Sequence, residues 1–302
     1  MAQGWTIDQS FGLLAGLEAG ELYLDYQPIF DLDTLECVGV EALIRWRHPQ
    51  RGTVYPDQFL PHAQQRGLAD RLTKVVICEA LAQHRAWREA GHIVPVSINI
   101  GPDGFIGRAS FDVIERALDE YGVEPHQLTV EVTEGEADDV NSAIGARLIE
   151  LSRLGVRVSL DDFGTGHASL ARLQRWHFDE VKIDRTFVER VTHDPTDREI
   201  VAFSAGLAGA LGMEVVAEGV PDDDAIRLLR QLGVDRAQGF YLARPGPPEA
   251  LDTGRLQRRH AALNVTVSGA TNLAADFATA AHSHPAGPQS ERQSGRLDPN
   301  HV

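Results

Sequence analysis

Eight short β-rich runs alternate with longer helical patterns along most of this chain, and that alternation constrains the fold more than any other feature. The runs are "LYLDYQPIF", "CVGVEALIRW", "VPVSINI", "QLTVEVTE", "VRVSLDD", "EVKID", "MEVVAEG" and "AQGFYLA". Most are near-continuous and rich in Val, Ile and Leu, as strands buried on both faces are. Amphipathic stretches such as "LADRLTKVVICEALAQHRAWREAG", "ASFDVIERALDEYG" and "DDDAIRLLRQLG" lie between them, and Gly155 after "LSRL" suits a helix C′ cap. Strands alternating with helices in this number predict an α/β fold with a closed, mostly parallel barrel. The first two runs are joined only by "DLDTLE", too short for a crossover helix. They are expected to be antiparallel.

The chain has 302 residues, of which 43% are apolar, enough for one sizeable core. The barrel is expected to occupy residues 1–255. From 256 to 302 the sequence turns rich in Ala, Ser, Gly, Pro and His with little periodicity, and reads as a disordered tail. Formal net charge is −16, which argues against binding a nucleic-acid duplex through its phosphates. A small anionic ligand is still compatible, because bound cations can invert a local field. Cys37 and Cys78 lie far apart in apolar surroundings with no CxxC, and are read as buried reduced thiols. The N-terminus has no basic n-region, and the longest weakly polar run, "FSAGLAGALGMEVVA", is too short to span a bilayer. The expectation is a soluble cytoplasmic protein with no membrane partner.

Polar residues recur near the C-terminal ends of the runs: Glu41, Asn99, Glu131, Asp161 with Asp162, Lys182, Glu218 and Gln238. In a barrel of this kind those ends converge on one face, where active sites lie. Any one of them alone reads as a helix cap, a turn residue or a solvated loop charge. Their recurrence points elsewhere, because buried like charges need compensation. Five carboxylates with Lys182 as the lone cation would leave a large negative charge at one mouth. Either some stay protonated or cations neutralise them. Oxygen donors suit Mg²⁺ or Mn²⁺ better than Zn²⁺. A carboxylate able to bridge suggests two ions, the arrangement that serves in-line displacement at phosphorus. His48 in "WRHPQRG" reads as a loop residue. "DPTDREI" and "PDDDAI" read as capped helix starts, not catalytic motifs.

The motifs "YQPIFDL", "EALIRWRHP", "SINI", "EVTE", "DDFGTG", "VKID", "AEGV" and "QGFYLARP" stand in one order across roughly residues 10–250. Together they resemble the EAL-domain cyclic di-GMP phosphodiesterases. That resemblance implies a TIM-like (β/α)8 barrel with an antiparallel first strand, and hydrolysis of cyclic di-GMP to linear pGpG with two Mg²⁺ or Mn²⁺ ions. It implies that Glu41, Asn99, Glu131 and Asp161 hold one metal. Asp161 would bridge to a second, held also by Asp162 and Glu218. Lys182 would orient the nucleophilic water, and Glu218 is also a catalytic candidate. Gln27, Leu43, Arg45 and Gln238 are implied substrate contacts, Arg45 because its fork donates two hydrogen bonds. A homodimer is implied as well.

Two departures stand out. The family commonly reads AEGVE where this chain has "AEGVP", with Pro221 for the second Glu. It commonly reads DDFGTGYSSL where His167 and Ala168 stand here, and Ala168 lacks a hydroxyl that could cap the next helix. They motivate an alternative: a catalytically weak or inactive domain that binds cyclic di-GMP or a signalling protein partner. A barrel enzyme acting on an enolate-type substrate would account for the carboxylates but not for "EALIRW" or "DDFGTG".

Overall fold

The structure, a computed structural model, describes residues 7–101, 108–133, 143–165, 173 and 176–251. The expected tail, the loop carrying His167 and Ala168, and most of the helix expected over "HASLARLQRW" lie outside the described residues.

Helix α1 (Ile7–Glu18) leads into β1 (Leu22–Asp31), β2 (Cys37–His48) and a short β3 (Gly52–Val54). Then follow α2 (Pro56–Gln65), α3 (Ala69–Glu89), β4 (Val96–Asn99), α4 (Arg108–Tyr121), β5 (Leu128–Thr133), α5 (Ala143–Leu154) and β6 (Arg157–Phe163). The remainder is β7 (Glu180–Ile183), α6 (Arg185–Val188), α7 (Pro195–Leu211), β8 (Glu214–Ala217), α8 (Asp223–Gln231) and β9 (Arg236–Ala237). Strand order is β1-β9-β8-β7-β6-β5-β4-β2, and a β1–β2 pairing closes the ring with β3 outside it on β2. β1 is antiparallel to both neighbours, and the other staves run parallel. All eight expected strands are present, the antiparallel first strand among them. The last is the shortest: β9 keeps only Arg236–Ala237, and the chain turns after Gln238.

The strands are not apolar on both faces. In β5, Leu128, Val130 and Val132 point outward to the helices, while Thr129, Glu131 and Thr133 take the other parity. Register carries this around the barrel, since residues paired across neighbouring strands share a face. Ser97, Thr129, Glu131, Ser159, Glu180 and Lys182 turn inward, and Val96, Ile98, Val158, Leu160, Val181 and Ile183 turn outward. The hydrophobic core is therefore the layer between staves and helices, and the barrel interior is polar. Apolar runs broken by single polar residues are this alternation.

The helix ends follow their local chemistry. Asp194 caps α7 by accepting the Thr196 N–H, and Asp222 caps α8 by accepting from Ala225. Gly155 has φ +87°, which fits the expected cap after α5. His48 is not in a loop. It ends β2, pairs with Gly52 and lies against the Trp46 ring at 4.8 Å. Cys37 and Cys78 are free and only half-buried. Among the described residues no helix is long and apolar enough to cross a membrane.

At the N-terminal end of the barrel, Arg236 donates to Glu180 at 3.2 Å and to Glu214 at 2.7 Å, and Arg157 pairs with Glu214. Burial pushes the Glu180 carboxyl up, and the nearby guanidinium charges act against that rise. Removing one partner of a buried pair strands the other charge. Arg236→Leu is expected to lower unfolding free energy by about 3 kcal/mol in urea titration. The double change Arg236→Leu/Glu180→Leu should recover most of that loss. Full additivity of the two changes would show that the pair does not close the barrel floor.

Candidate active site at the barrel mouth

The site begins with a defect in β6. Ser159 and Leu160 pair with Glu180 and Val181, and pairing resumes at Phe163 with Ile183. Two residues, Asp161 and Asp162, thus oppose the single Lys182, the arrangement of a β-bulge. Adjacent side chains on a regular strand point to opposite faces. Here Asp162 takes φ +56°, and its N–H donates to Asp161 Oδ1 at 2.9 Å. The bulge lets both carboxylates reach one mouth. Asp can adopt this left-handed conformation at lower cost than a bulkier side chain.

Lys182 is fully buried at the centre. Its Nζ lies 2.7 Å from Glu218 Oε1, 3.0 Å from Glu131 Oε2, 3.1 Å from Glu41 Oε2 and 3.8 Å from Asp161 Oδ1. Glu41 Oε2 also accepts from Gln238 Nε2 at 2.7 Å, and its Oε1 accepts from Asn99 Nδ2 at 2.7 Å. Gln238 donates as well to Gln27 Oε1 at 2.9 Å, and Gln27 Nε2 donates to the Ala243 carbonyl. Glu41, Asn99, Glu131, Asp161, Asp162, Lys182, Glu218, Gln27 and Gln238 therefore form one constellation.

Environment separates the carboxyls. Burial pushes Glu41 up, but the Lys182 charge and hydrogen bonds from Gln238 and Asn99 outweigh it and hold the group below its ordinary value. Burial, with Glu41 next, drives Glu131 well up. Burial and the Asp161 charge raise Asp162 to about 6. Glu218 rises to about 8 through burial, with Asp161 and Glu41 adding to the rise against the opposing Lys182 charge. For Lys182 burial acts downward, but Asp161, Glu131, Glu218 and Glu41 prevail and hold it as an ammonium.

The donor set fits a hard divalent cation. Carboxylate oxygens of Asp161, Asp162 and Glu218 lie within 4.8 Å of one another. Glu131 Oε1 is buried with no hydrogen-bond partner, a lone pair in need of a donor or an ion. Oxygen ligands of this kind suit Mg²⁺ or Mn²⁺.

Leu43 and Arg45 stand above the barrel. β2 pairs with β4 only as far as Ala42, and beyond it pairs with β1 and β3 alone. Gln27/Glu41, Asp25/Leu43 and Tyr23/Arg45 are opposed pairs on the face that continues the barrel interior. Arg45 Nε donates to Asp25 Oδ2 at 3.0 Å, Nη1 donates to the Ile44 carbonyl at 3.0 Å, and the guanidinium lies 5.1 Å from the Tyr55 ring centre. Leu43, Leu60, Thr73, Asn99 and Glu131 line an apolar cavity of about 310 Å³. A more polar cavity of about 830 Å³ is lined by Glu41, Asp161, Glu218, Arg185, Pro221 and Arg244. Pro221, where an acid was expected, is exposed at that rim. Asp25 and Tyr55 were not singled out in the sequence. The period-2 spacing of Tyr23, Asp25 and Gln27 was the available signal for Asp25. Tyr55 carries no local signal.

A barrel whose C-terminal strand ends gather carboxylates around a buried lysine presents the oxygen donors that a hard cation takes. The EAL domain family model matches residues 12–245, and the chain belongs to this family. It is 40% identical over 240 residues to the bifunctional diguanylate cyclase/cyclic di-GMP phosphodiesterase MucR of Pseudomonas aeruginosa, covering 79% of this chain and 35% of that protein. It is 33% identical over 250 residues to a cyclic di-GMP phosphodiesterase of the same organism, covering 83% and 42%. The chain thus spans less than half the length of either relative. Among solved structures, the PaMucR phosphodiesterase in complex with c-di-GMP superposes with a TM-score of 0.76 at 39% identity, over 80% of this chain and 98% of that one. The EAL enzyme Bd1971 bound to cAMP and cyclic di-GMP gives 0.76 at 28% identity, over 84% and 68%.

The raised carboxyls make a signed prediction. Asp162 and Glu218 keep protons up to about 6 and about 8, where the unfolded chain has already released them. Stability of the metal-free protein should therefore fall as pH rises through this window. A cation competes with the same protons, so its affinity should rise with pH. Thermal melts in EDTA should show a lower midpoint at about pH 8.5 than at about pH 6, and added Mn²⁺ should raise it more at the higher pH. A Mn²⁺ shift independent of pH would place the cation elsewhere.

Proposed function

We propose that this chain is a metal-dependent phosphodiesterase that hydrolyses cyclic di-GMP to linear pGpG, lowering the messenger. The observation that carries the reading is the Lys182 constellation, with Gln27, Leu43 and Arg45 running from it along one face of β1 and β2. Glu41, Asn99, Glu131 and Asp161 would hold one Mg²⁺ or Mn²⁺, and Asp161, Asp162 and Glu218 a second, with Asp161 shared. Such ions supply a hydroxide-like nucleophile near neutral pH and neutralise charge on the phosphoryl oxygens.

The chain's own residues do the remaining work. Lys182 stays protonated, so it acts as a donor and a fixed positive charge, not as a base. Its three N–H donors are directed to Glu41, Glu131 and Glu218, so orienting the attacking water would take the release of one of these carboxyls. Glu218 lies 2.7 Å from Lys182 Nζ at the mouth, and once a cation has displaced its proton its carboxylate can accept one from that water. Gln238 and Asn99 hold Glu41 in place. Arg45 donates from Nε to Asp25 and from Nη1 to the Ile44 carbonyl, which leaves its Nη2 hydrogens as the donors for a phosphate or a guanine edge. Leu43 presents the apolar cavity wall to a base.

The substrate partner is cyclic di-GMP, and a homodimer is proposed. Helix α7 supports it, exposing Phe203 and Leu211 beside Gly206 and Gly209. A cytoplasmic location and a further signalling partner belong to the same proposal. The alternative, a weak or inactive binding module, draws on Pro221 at the rim of the polar cavity.

Purified protein with cyclic di-GMP and Mg²⁺ or Mn²⁺ should release pGpG, measured by anion-exchange chromatography. Asp161→Ala and Glu41→Ala should each lower kcat at least about a hundredfold. Pro221→Glu should raise turnover if the rim limits it. Binding without turnover in the wild type would establish the binding module instead.

A further inference from the structure

The arm formed by Leu22–Asp25 and Leu43–Trp46 has lost its barrel neighbours and carries two of the proposed substrate contacts. Apart from the Trp46–Val54 pairing with β3 it is a two-stranded ribbon, which is marginally stable by itself, so the arm takes much of its rigidity from packing. Its outer face is Leu22, Leu24, Ile44 and Trp46. Trp46 is fully buried in a cluster with Leu13 of α1, Phe59 of α2 and Leu72 of α3. The indole lies close against α1 at two glycines, Gly12 and Gly16. A Cβ on Gly12 would sit 3.6 Å from Trp46 Cη2, and one on Gly16 only 2.7 Å from Trp46 Nε1. Gly12 and Gly16 are one helical step of four apart, so they share this face.

Glu21 ties the three elements together. Its carboxylate accepts the Trp46 Nε1–H at 2.9 Å, its N–H donates to the Gly16 carbonyl at 2.9 Å, and its carbonyl accepts the Arg47 N–H at 2.8 Å. On the opposite face of the same strand, one residue away, Arg45 is only 5% exposed and clamped by Asp25. Moving Trp46 therefore moves the strand segment that presents Arg45.

We propose that Trp46 and the glycine face of α1 are positioning elements for substrate, setting Arg45 and Leu43 through the strand between them without contacting substrate. This rests on the phosphodiesterase reading for the identity of the ligand. It makes α1 a control point: whatever displaces this helix weakens substrate binding and leaves the chemistry at Lys182 intact.

The test compares wild type, Gly16→Leu and Trp46→Phe in the full chain, each checked for cooperative melting. Gly16→Leu should raise KM for cyclic di-GMP about tenfold with kcat within about twofold. Turnover of bis(4-nitrophenyl) phosphate, a diester with no guanine to recognise, should stay unchanged. Added to Arg45→Ala, Gly16→Leu should cost little more, because both act through one guanidinium. Trp46→Phe keeps an aromatic ring but loses the indole N–H and part of the packed volume, and should fall between. Equal losses on both substrates, a drop in kcat alone, or additivity with Arg45→Ala would overturn the proposal. A separate measurement needs no substrate: hydrogen exchange at the Arg45 Nε–H by NMR should quicken in Gly16→Leu and, less so, in Trp46→Phe. If wild type neither binds nor hydrolyses cyclic di-GMP, the functional reading falls, and this exchange rate alone decides the positioning role. Unchanged exchange overturns it. Should Gly16→Leu not fold, Trp46→Phe and Gly16→Ala carry the same measurements.

Discussion

The buried ammonium of Lys182 is what lets carboxylates occupy the inside of this barrel. Taking an isolated carboxylate out of water costs several kcal/mol even after relaxation. Lys182 contacts Glu41, Glu131 and Glu218 within hydrogen-bonding distance and faces Asp161. One cation for so many acids still leaves excess negative charge. The protein meets that excess unevenly. Glu41 receives Gln238 and Asn99 in addition to Lys182 and stays ionised, whereas Glu131 and Glu218 are driven toward holding protons. A rim of proton-bearing acids around a fixed cation is the state from which hard metal ions would displace protons.

The same lysine explains the bulge. A regular β6 would turn Asp161 toward Lys182 and its neighbour away from it. The extra residue opposite Lys182 puts Asp162 at the mouth too, held by its left-handed backbone. A carboxylate pair on adjacent residues is an unstable choice for a strand unless something binds both. The strain in β6 and the charge at the mouth are therefore one feature seen at two levels.

Much of this was legible in the sequence because the alternation is strict. "LTVEVT" shows both faces of a stave, and the polar residue ending each run marks the mouth. The short "DLDTLE" link foretold the antiparallel first strand. What stayed hidden depends on pairing between distant segments. The polar interior was hidden because an alternating run with few polar residues looks continuous. The bulge was hidden because "DD" carries no sign of register. β3 and the strand role of His48 depend on a hairpin of three paired residues. Asp25 and Tyr55 matter only through Arg45. The clasp of α1 on Trp46 depends on two glycines that, in sequence, look only like weak helix formers.

The division between arm and barrel also answers a problem of charge. The chain carries a net charge of −16, and its mouth gathers five carboxylates, yet the proposed substrate is a dianion. Attraction cannot come from the overall field. It must be local, from Arg185 and Arg244 at the polar rim and from whatever cations the carboxylates hold, since the charge of Arg45 on the arm is offset by Asp25. Substrate and cation then bind with mutual help, because each offsets charge that opposes the other, and linkage makes that help reciprocal. An arm held in place by packing on its far side suits this arrangement. Asp25 and the Ile44 carbonyl fix the Arg45 guanidinium in place beforehand, so less ordering would be left to be done on binding.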